Sequence, residues 1–352
     1  MRVPVTDCRG VPLMPCTPPK ARILMKEGKA VPKRNKLGLF YIQLTYSQEP
    51  DNQPLVVGID PGSSFEGFSV VGSKDTVLNL MVEAPTHVKD AVEVRRNMRS
   101  ARRHRLWRRP CRSNNRLKGK KRIPPSTRSR WEAKARIVTQ LQKILPLTHV
   151  VVEDVQAETK PGKRNGRTKT GRVKKITRKW NASFSPVQVG KEHLYNLLRG
   201  MGLILSLVQG YETKALRDKY GLKKVSTKAK KVFSSHAVDA WVMAANVSGA
   251  VAPTCQRLWY VVGATLHRRQ LHVLQPGKGG VRKPYGGTRS LELKRGTLVK
   301  HPKYGLCAVG GFDRKTKHVS LHHYRSNKRL TQQGKLQDLK TLAWVSFRSY
   351  LV

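Results

Sequence analysis

Acidic side chains are scarce in this chain: 21 Asp and Glu stand against 70 Lys and Arg, so the formal net charge of its 352 residues is +49. Self-repulsion at that level opposes compaction unless a polyanion offsets it. That excludes an ordinary small-molecule enzyme and points to nucleic acid as the partner. Cysteine is sparse too. Cys8, Cys16, Cys111, Cys255 and Cys307 are scattered, odd in number and form no C-x-x-C pair. They support neither a disulfide framework nor a cysteine zinc ribbon, and they fit a reducing cytoplasm. No run of 18 apolar residues occurs, so no membrane-spanning helix and no membrane partner are expected. The opening MRVPVTDCRG lacks the apolar centre of a signal peptide. Aromatics make up 7% and hydrophobic residues 38%, which suffices for a modest core in two or three units.

Several segments carry a readable pattern. The first 50 residues are rich in proline and basic groups, with Pro12, Leu13, Met14 and Pro15 in a run that forbids regular helix. This segment reads as a docking arm or an RNA contact, with one strand over 37–46. LVVGID (55–60), GFSVVG (67–72) and VLNLMVE (77–83) read as adjacent strands joined by glycine turns. An amphipathic helix is expected over 129–145, where Trp131, Ala135, Val138, Leu141 and Leu145 recur at steps of three and four. A buried β-branched strand follows over 148–155. Helix is expected over 189–201, strand over 203–213, and helix again over 234–248 with Ser234 or Ser235 as its cap. After Pro253, short strands between glycine-rich turns suggest a small, basic, mostly β domain.

The positive charge is concentrated. RRNMRSARRHRLWRR (95–109) holds eight arginines (Arg95, Arg96, Arg99, Arg102, Arg103, Arg105, Arg108 and Arg109) and no acid. Helix-favouring residues fill the gaps, but arginines lie on every side, so no apolar stripe remains to dock on a protein core. The segment is either a solvated basic tail or a helix threaded between nucleic-acid strands, where phosphates neutralise every face. Residues 160–179 add ten Lys and Arg without an acid and read as a loop ordered by a polyanion.

Against this background the positions of the carboxylates are informative. Asp60 ends one β-branched strand, Glu153 ends another, and Asp239 follows His236 at a spacing of three, on one helix face. Carboxylates converging from separate elements supply the hard oxygen ligands of a site for two Mg²⁺ or Mn²⁺ ions, which suits hydrolysis of a phosphodiester. Asp60 would bridge the ions, Glu153 and Asp239 would each hold one side, and His236 would join the metal site and orient or deprotonate the water or help stabilise the developing charge; the alternative is that each carboxylate simply pairs with a Lys or Arg.

GIDPG (58–62), VVVED (150–154) and SSHAVDA (234–240) resemble the three split motifs of RuvC-like nucleases of the RNase H fold. The Asp, Glu and His-x-x-Asp pattern of that family falls on Asp60, Glu153, His236 and Asp239. The arginine run between the first two motifs resembles the bridge helix of transposon-encoded RNA-guided nucleases and their CRISPR type II relatives. The PLMP run is similar to the N-terminal domain of the IscB group. Only 82 residues separate Glu153 from His236, with one histidine, His193, and no cysteine between them. An HNH nuclease site is therefore not expected, and the chain resembles the HNH-lacking branch, IsrB.

The resemblance implies an α/β chain: an RNase H-like (RuvC) fold split by the arginine-rich bridge helix, flanked by a small N-terminal PLMP domain and a mostly β C-terminal domain. The implied boundaries are 1–50 for the PLMP domain, 51–88, 123–158 and 188–250 for the three RuvC parts, and 89–122 for the bridge helix and linker. The basic loop takes 159–187, and a β-rich region that contacts a target-adjacent motif takes 251–352. The implied activity is RNA-guided nicking of the non-target strand of double-stranded DNA by one two-metal site. One protein would act with one large structured guide RNA, in a prokaryotic cytoplasm and at the nucleoid when bound to DNA. The eight arginines would hold guide and heteroduplex. Gln275, Lys278, Arg282 and Lys283, in and beside the glycine-rich stretch 277–287, would read the adjacent motif, or that stretch would bind backbone only. A structure-selective resolvase acting without RNA and a catalytically idle RNA-binding protein are the competing readings.

Overall fold

The computed structural model describes residues 1–105, 123–154, 164–167, 173–176, 186–264, 268–271, 274–275, 280–281, 285–313 and 315–352. The N-terminal segment, read as a docking arm or an RNA contact and, by resemblance, as a small domain, is a folded unit. Strands β1 (Val3–Thr6), β2 (Pro12–Cys16), β3 (Ala30–Arg34) and β4 (Phe40–Leu44) form one sheet in the order β2-β1-β4-β3. The PLMP run is its edge strand, the one place in a sheet where proline's missing N–H costs no ladder bond. Helix α1 (Pro18–Lys26) starts on Thr17, whose hydroxyl accepts from the Lys20 N–H, with proline in the first turn. Val5, Leu13, Ala21, Leu24, Ala30, Ile42 and Leu44 close a small core of its own. Leu37 and Leu39 reach across into the central core, and the Asn35 side chain donates to the Gln140 carbonyl at 3.2 Å.

The central sheet has seven strands. Strands β5 (Leu55–Asp60), β6 (Phe65–Val71) and β7 (Thr76–Glu83) form an antiparallel meander. Strands β8 (Leu147–Glu153) and β11 (Ile204–Val208) add in parallel on the β5 side. The order β11-β8-β5-β6-β7 is that of an RNase H-like sheet. Between β8 and β11 lie the short antiparallel strands β9 (Arg164–Arg167) and β10 (Val173–Ile176) and helix α4 (Pro186–Arg199). Two further strands, β12 (Leu258–Gly263) and β18 (Phe347–Leu351), complete the sheet beyond β7. Residues 257–263 thus extend the central sheet instead of opening a separate C-terminal domain. The closing segment of the chain returns to pair with them. Between these two strands, β13 (Thr297–His301), β14 (Gly305–Phe312), β15 (Val319–His323), β16 (Arg329–Gly334) and β17 (Lys340–Trp344) form a small sheet over Val299, Cys307, Val309, Val319 and Leu321.

Helices cover both faces. Helix α3 (Pro125–Gln142) and α4 pack on Leu55, Val57, Ile59, Val150 and Val152. On the opposite face lies α7 (Val238–Ser248), buried from Val238 through Ala245. A helix apolar on all sides must be central. It ends on Gly249 in the left-handed conformation, φ 77°. Trp241 ties it to the sheet by donating its indole N–H to Thr76 Oγ at 2.9 Å.

The helix can lie this close because of Gly58. A Cβ there would collide with the Ala240 carbonyl oxygen. Gly58→Ala must push the helix off β5, and overpacking of this kind costs about 1–3 kcal/mol. A lower melting temperature by circular dichroism is the expected outcome; an unchanged one would contradict the packing described.

Two expected elements differ. Residues 203–213 are not one strand: β11 stops at Val208, and α5 (Gly210–Lys219) begins with a capping box between Gln209 and Glu212. That reciprocal cap sits in VQGYET, where the aromatic and β-branched residues suggest strand. The helix expected over 234–248 is two pieces, α6 (Phe233–His236) and α7, broken at Ala237 (φ −120°). Neither Ser234 nor Ser235 caps it; the Ser235 hydroxyl donates to the Thr227 carbonyl at 3.3 Å. Among the described residues no helix is long and apolar enough to cross a membrane.

Candidate active site

Strand parity places two of the acids. Successive side chains alternate between sheet faces. Leu55, Val57 and Ile59 face α3 and α4, so Val56, Gly58 and Asp60 face α7. In β8, Val150 and Val152 take the α3 face, which leaves Val151 and Glu153 on the α7 side. Ile59 pairs with Val152 in parallel register, so Asp60 and Glu153 end adjacent strands at the same level. Gly67 lies opposite Asp60 on β6, and a Cβ there would strike the His236 carbonyl oxygen. Two glycines therefore allow α6 and α7 to rest on the strand that carries Asp60. They bring Asp239 to it from above.

Basic groups tie two of the three acids together. The Lys224 ammonium donates to Asp60 Oδ2 at 3.3 Å and closely to Asp239 Oδ2. Arg217 of α5 donates to Asp239 Oδ1 at 2.6 Å. Burial opposes the charge on Lys224, but Asp60 and Asp239 outweigh it and hold the ammonium above the ordinary lysine range. Glu153 lies within hydrogen-bonding range of Asp60, and burial followed by the Asp60 charge pushes its pKa up to about 7. The Asp239 side chain is 3% exposed, whereas Asp60 and Lys224 are 16% and 34% exposed, so the cluster opens to solvent on the Lys224 side.

The shift on Glu153 sets a pH dependence. Its folded pKa lies above the ordinary value of 4.5, so between pH 4.5 and 7 the folded state holds a proton that the unfolded chain releases. The resulting stabilisation is complete at low pH and fades as pH rises through 7. In chelator-treated buffer the melting temperature should therefore fall from pH 5 to pH 8, and Glu153→Gln should flatten that fall. An equal slope in both proteins would contradict the crowding at Glu153.

His236 is 6% exposed and stacks edge-on against Phe65 at 5.2 Å. Its Nε2 donates to the backbone carbonyls of Lys228 and Lys230, 3.1 Å each, and burial lowers its pKa. It lies on α6, so the expectation that it shares one continuous helix face with Asp239 does not hold.

Behind Glu153, the Asp154 carboxylate accepts from Lys191, from Tyr195 at 2.7 Å and from Gln209 at 3.0 Å. Burial opposes its ionisation, and these three donors outweigh it and lower its pKa. The arrangement fixes the end of β8 to α4 and to the start of α5. A Cβ on Gly210, the first residue of α5, would sit 3.6 Å from Glu153 Oε1.

The other expected site residues lie elsewhere. Arg95 and Arg96 are exposed on α2 (His87–Arg105), which begins eight residues before the arginine run and takes in Asp90 and Glu93. Early acids suit a helix N-terminus. Arg99, Arg102, Arg103 and Arg105 belong to the same helix by backbone, while Arg108 and Arg109 fall outside the described residues. Gln275 lies in a short strand (Leu274–Gln275), and Lys278, Arg282 and Lys283 are outside the described residues. Lys224, Arg217 and the donors to Asp154 escape sequence reading, because nothing distinguishes two cations among 70. Gly58 and Gly67 are the available signal: glycines inside apolar strands mark the close approach of another element.

Among the described residues no three His, Cys, Asp or Glu side chains surround a single point closely enough to hold one metal ion. The donor set nevertheless suits hard divalent cations, being carboxylate oxygens from three elements. A cation, the Lys224 ammonium, already stands between Asp60 and Asp239.

The family model described as "RRXRR protein" matches residues 3–171, which takes in the N-terminal unit, α2, Asp60 and Glu153 but not His236 or Asp239. No curated protein matches the chain. Among solved structures, RuvC of T. thermophilus in complex with Holliday junction substrate is similar at 15% identity. The likeness covers 56% of this chain and 98% of that one, with a TM-score of 0.29.

Proposed function

We propose that the chain is a RuvC-like endonuclease that hydrolyses DNA phosphodiesters, and that it acts as an RNA-guided nickase of the HNH-lacking IsrB type. The observation that carries the nuclease reading is the convergence of Asp60, Glu153 and Asp239 at one end of the sheet, with the Lys224 ammonium between Asp60 and Asp239. Asp60, Glu153 and Asp239 would hold the divalent ions. When bound, Mg²⁺ or Mn²⁺ supplies an activated water and charge stabilisation at the phosphate. Arg217 donates to Asp239 and orients it, and the donors around Asp154 fix the strand end that presents Glu153. His236, whose pKa burial lowers and whose Nε2–H is given to the Lys228 and Lys230 carbonyls, would orient the attacking water or accept its proton at Nδ1.

The guide-RNA part rests on charge and on α2. From Lys89 to Met98 the side chains of α2, Arg95 and Arg96 among them, are exposed although the helix touches α3, and such a basic, exposed face is suited to a polyanion. Base pairing would read the target sequence while the protein holds the heteroduplex by shape and charge. The test is purification from the host locus, sequencing of the bound RNA, and cleavage of duplex DNA labelled separately on each strand. Mg²⁺- and RNA-dependent cutting of one strand is the expected result. Equal cutting of both strands would contradict a single site, and cutting of four-way junctions without RNA would replace the reading with a resolvase.

A further inference from the structure

The segment between α5 and α6 is a basic strap. Residues 221–231 carry Lys223, Lys224, Lys228, Lys230 and Lys231 without an acid, and all but Leu222 are exposed along it. Its ends are fixed. The Val225 N–H donates to the Ser234 carbonyl at 3.0 Å, and Lys231 lies over the Tyr260 ring at 4.0 Å. Its middle is held by His236, which donates to the carbonyls of Lys228 and Lys230. Lys223, Lys228 and Lys230 make no side-chain ion pair among the described residues. Lys224 alone turns inward and sets its ammonium between Asp60 and Asp239.

We propose that the strap is a phosphate-backbone site for the DNA substrate and that Lys224 exchanges partners on binding. In the free protein it neutralises Asp60 and Asp239; on the substrate it moves to a backbone phosphate and uncovers both carboxylates for divalent ions. The inference rests on the nuclease reading above. Its physical basis is charge balance. An ammonium cannot leave two largely buried carboxylates without an anion to receive it and another cation to replace it. Substrate and metal would then assist each other's binding, and the coupling must be reciprocal.

Binding of Mn²⁺ to the metal-free full chain, read from the electron paramagnetic resonance signal of unbound Mn²⁺, tests this without any cleavage. The titration is done with and without a short single-stranded DNA, with DNA alone as the reference. Wild type should bind Mn²⁺ weakly and gain roughly tenfold when DNA is added, as expected when one charge is removed from beside two carboxylates. Lys224→Met should bind as tightly without DNA as wild type does with it, and Lys224→Arg should behave like wild type. Lys228→Ala with Lys230→Ala, which leaves the carboxylates untouched, should keep the weak basal affinity and lose the gain. Equal Mn²⁺ affinity in wild type and Lys224→Met, with and without DNA, would overturn the exchange and leave the nuclease reading standing. If no variant binds Mn²⁺ in either state, the nuclease reading falls and the exchange falls with it.

Discussion

Asp60→Ala should eliminate DNA cleavage, by at least about a thousandfold, since a bridging carboxylate supports several kcal/mol of transition-state charge stabilisation through the bound ions. The carboxylate ends β5 at the rim of the sheet, 16% exposed, and makes no contact on which the core depends. Folding and RNA-dependent target binding should therefore survive. The substitution also leaves Lys224 with only Asp239, and it removes the neighbour whose charge raises the Glu153 pKa. The pH dependence of metal-free stability should weaken along with cleavage. The measurements are single-turnover cleavage of strand-labelled DNA, a gel-shift with guide RNA, and a melting curve. Undiminished nicking in Mg²⁺ would remove Asp60 from the chemistry and, with it, the assignment of the site.

Replacing Arg99, Arg102 and Arg103 together should have the second-largest effect, on RNA binding and not on the chemistry. These residues lie on α2, whose first turns carry Asp90 and whose Val92, Val94 and Met98 are exposed. A helix so little buried gains its order from whatever covers it. If the cover is RNA, each lost phosphate contact removes about 0.7–0.9 from the slope of log affinity against log salt. Three contacts together weaken binding roughly a hundredfold at moderate salt. Filter binding across a salt series measures both quantities. An unchanged slope would mean that the arginines face solvent and that the guide is held elsewhere. Stability of the metal-free chain should hardly move, because among the described residues no α2 side chain belongs to either central core cluster.

Much of the site could be read from one dimension. The β-branched runs LVVGID and VVVE are buried strands, and each ends in an acid at the point where the strand leaves the core. An acid at the last position of an apolar strand has few alternatives to the sheet rim. The buried helix around Asp239 is equally legible, since an all-apolar helix must be central. Less legible were the N-terminal unit and the place of residues 257–263. Proline-rich, basic sequence conceals β1 to β4 because their pairing is long-range: Val5 meets Leu13 on one side and Ile42 on the other. Residues 258–263 give a strand signal but no hint that their partners are Asn79 to Val82 and Phe347 to Leu351.

Composition and local pattern were enough to point toward a polyanionic partner, to give the helix and strand character of most central elements, and to single out the four residues proposed for metal-assisted hydrolysis. These depend on charge count and periodicity, which are properties of neighbouring residues. The environment of those four residues came from three-dimensional packing. That includes Lys224 standing between two carboxylates, Glu153 driven toward neutrality by Asp60, and His236 turned onto the carbonyls of the strap. These contacts join residues 6 to 164 positions apart along the chain. In a chain with 70 interchangeable-looking cations, only the folded contacts single out which one neutralises the acids.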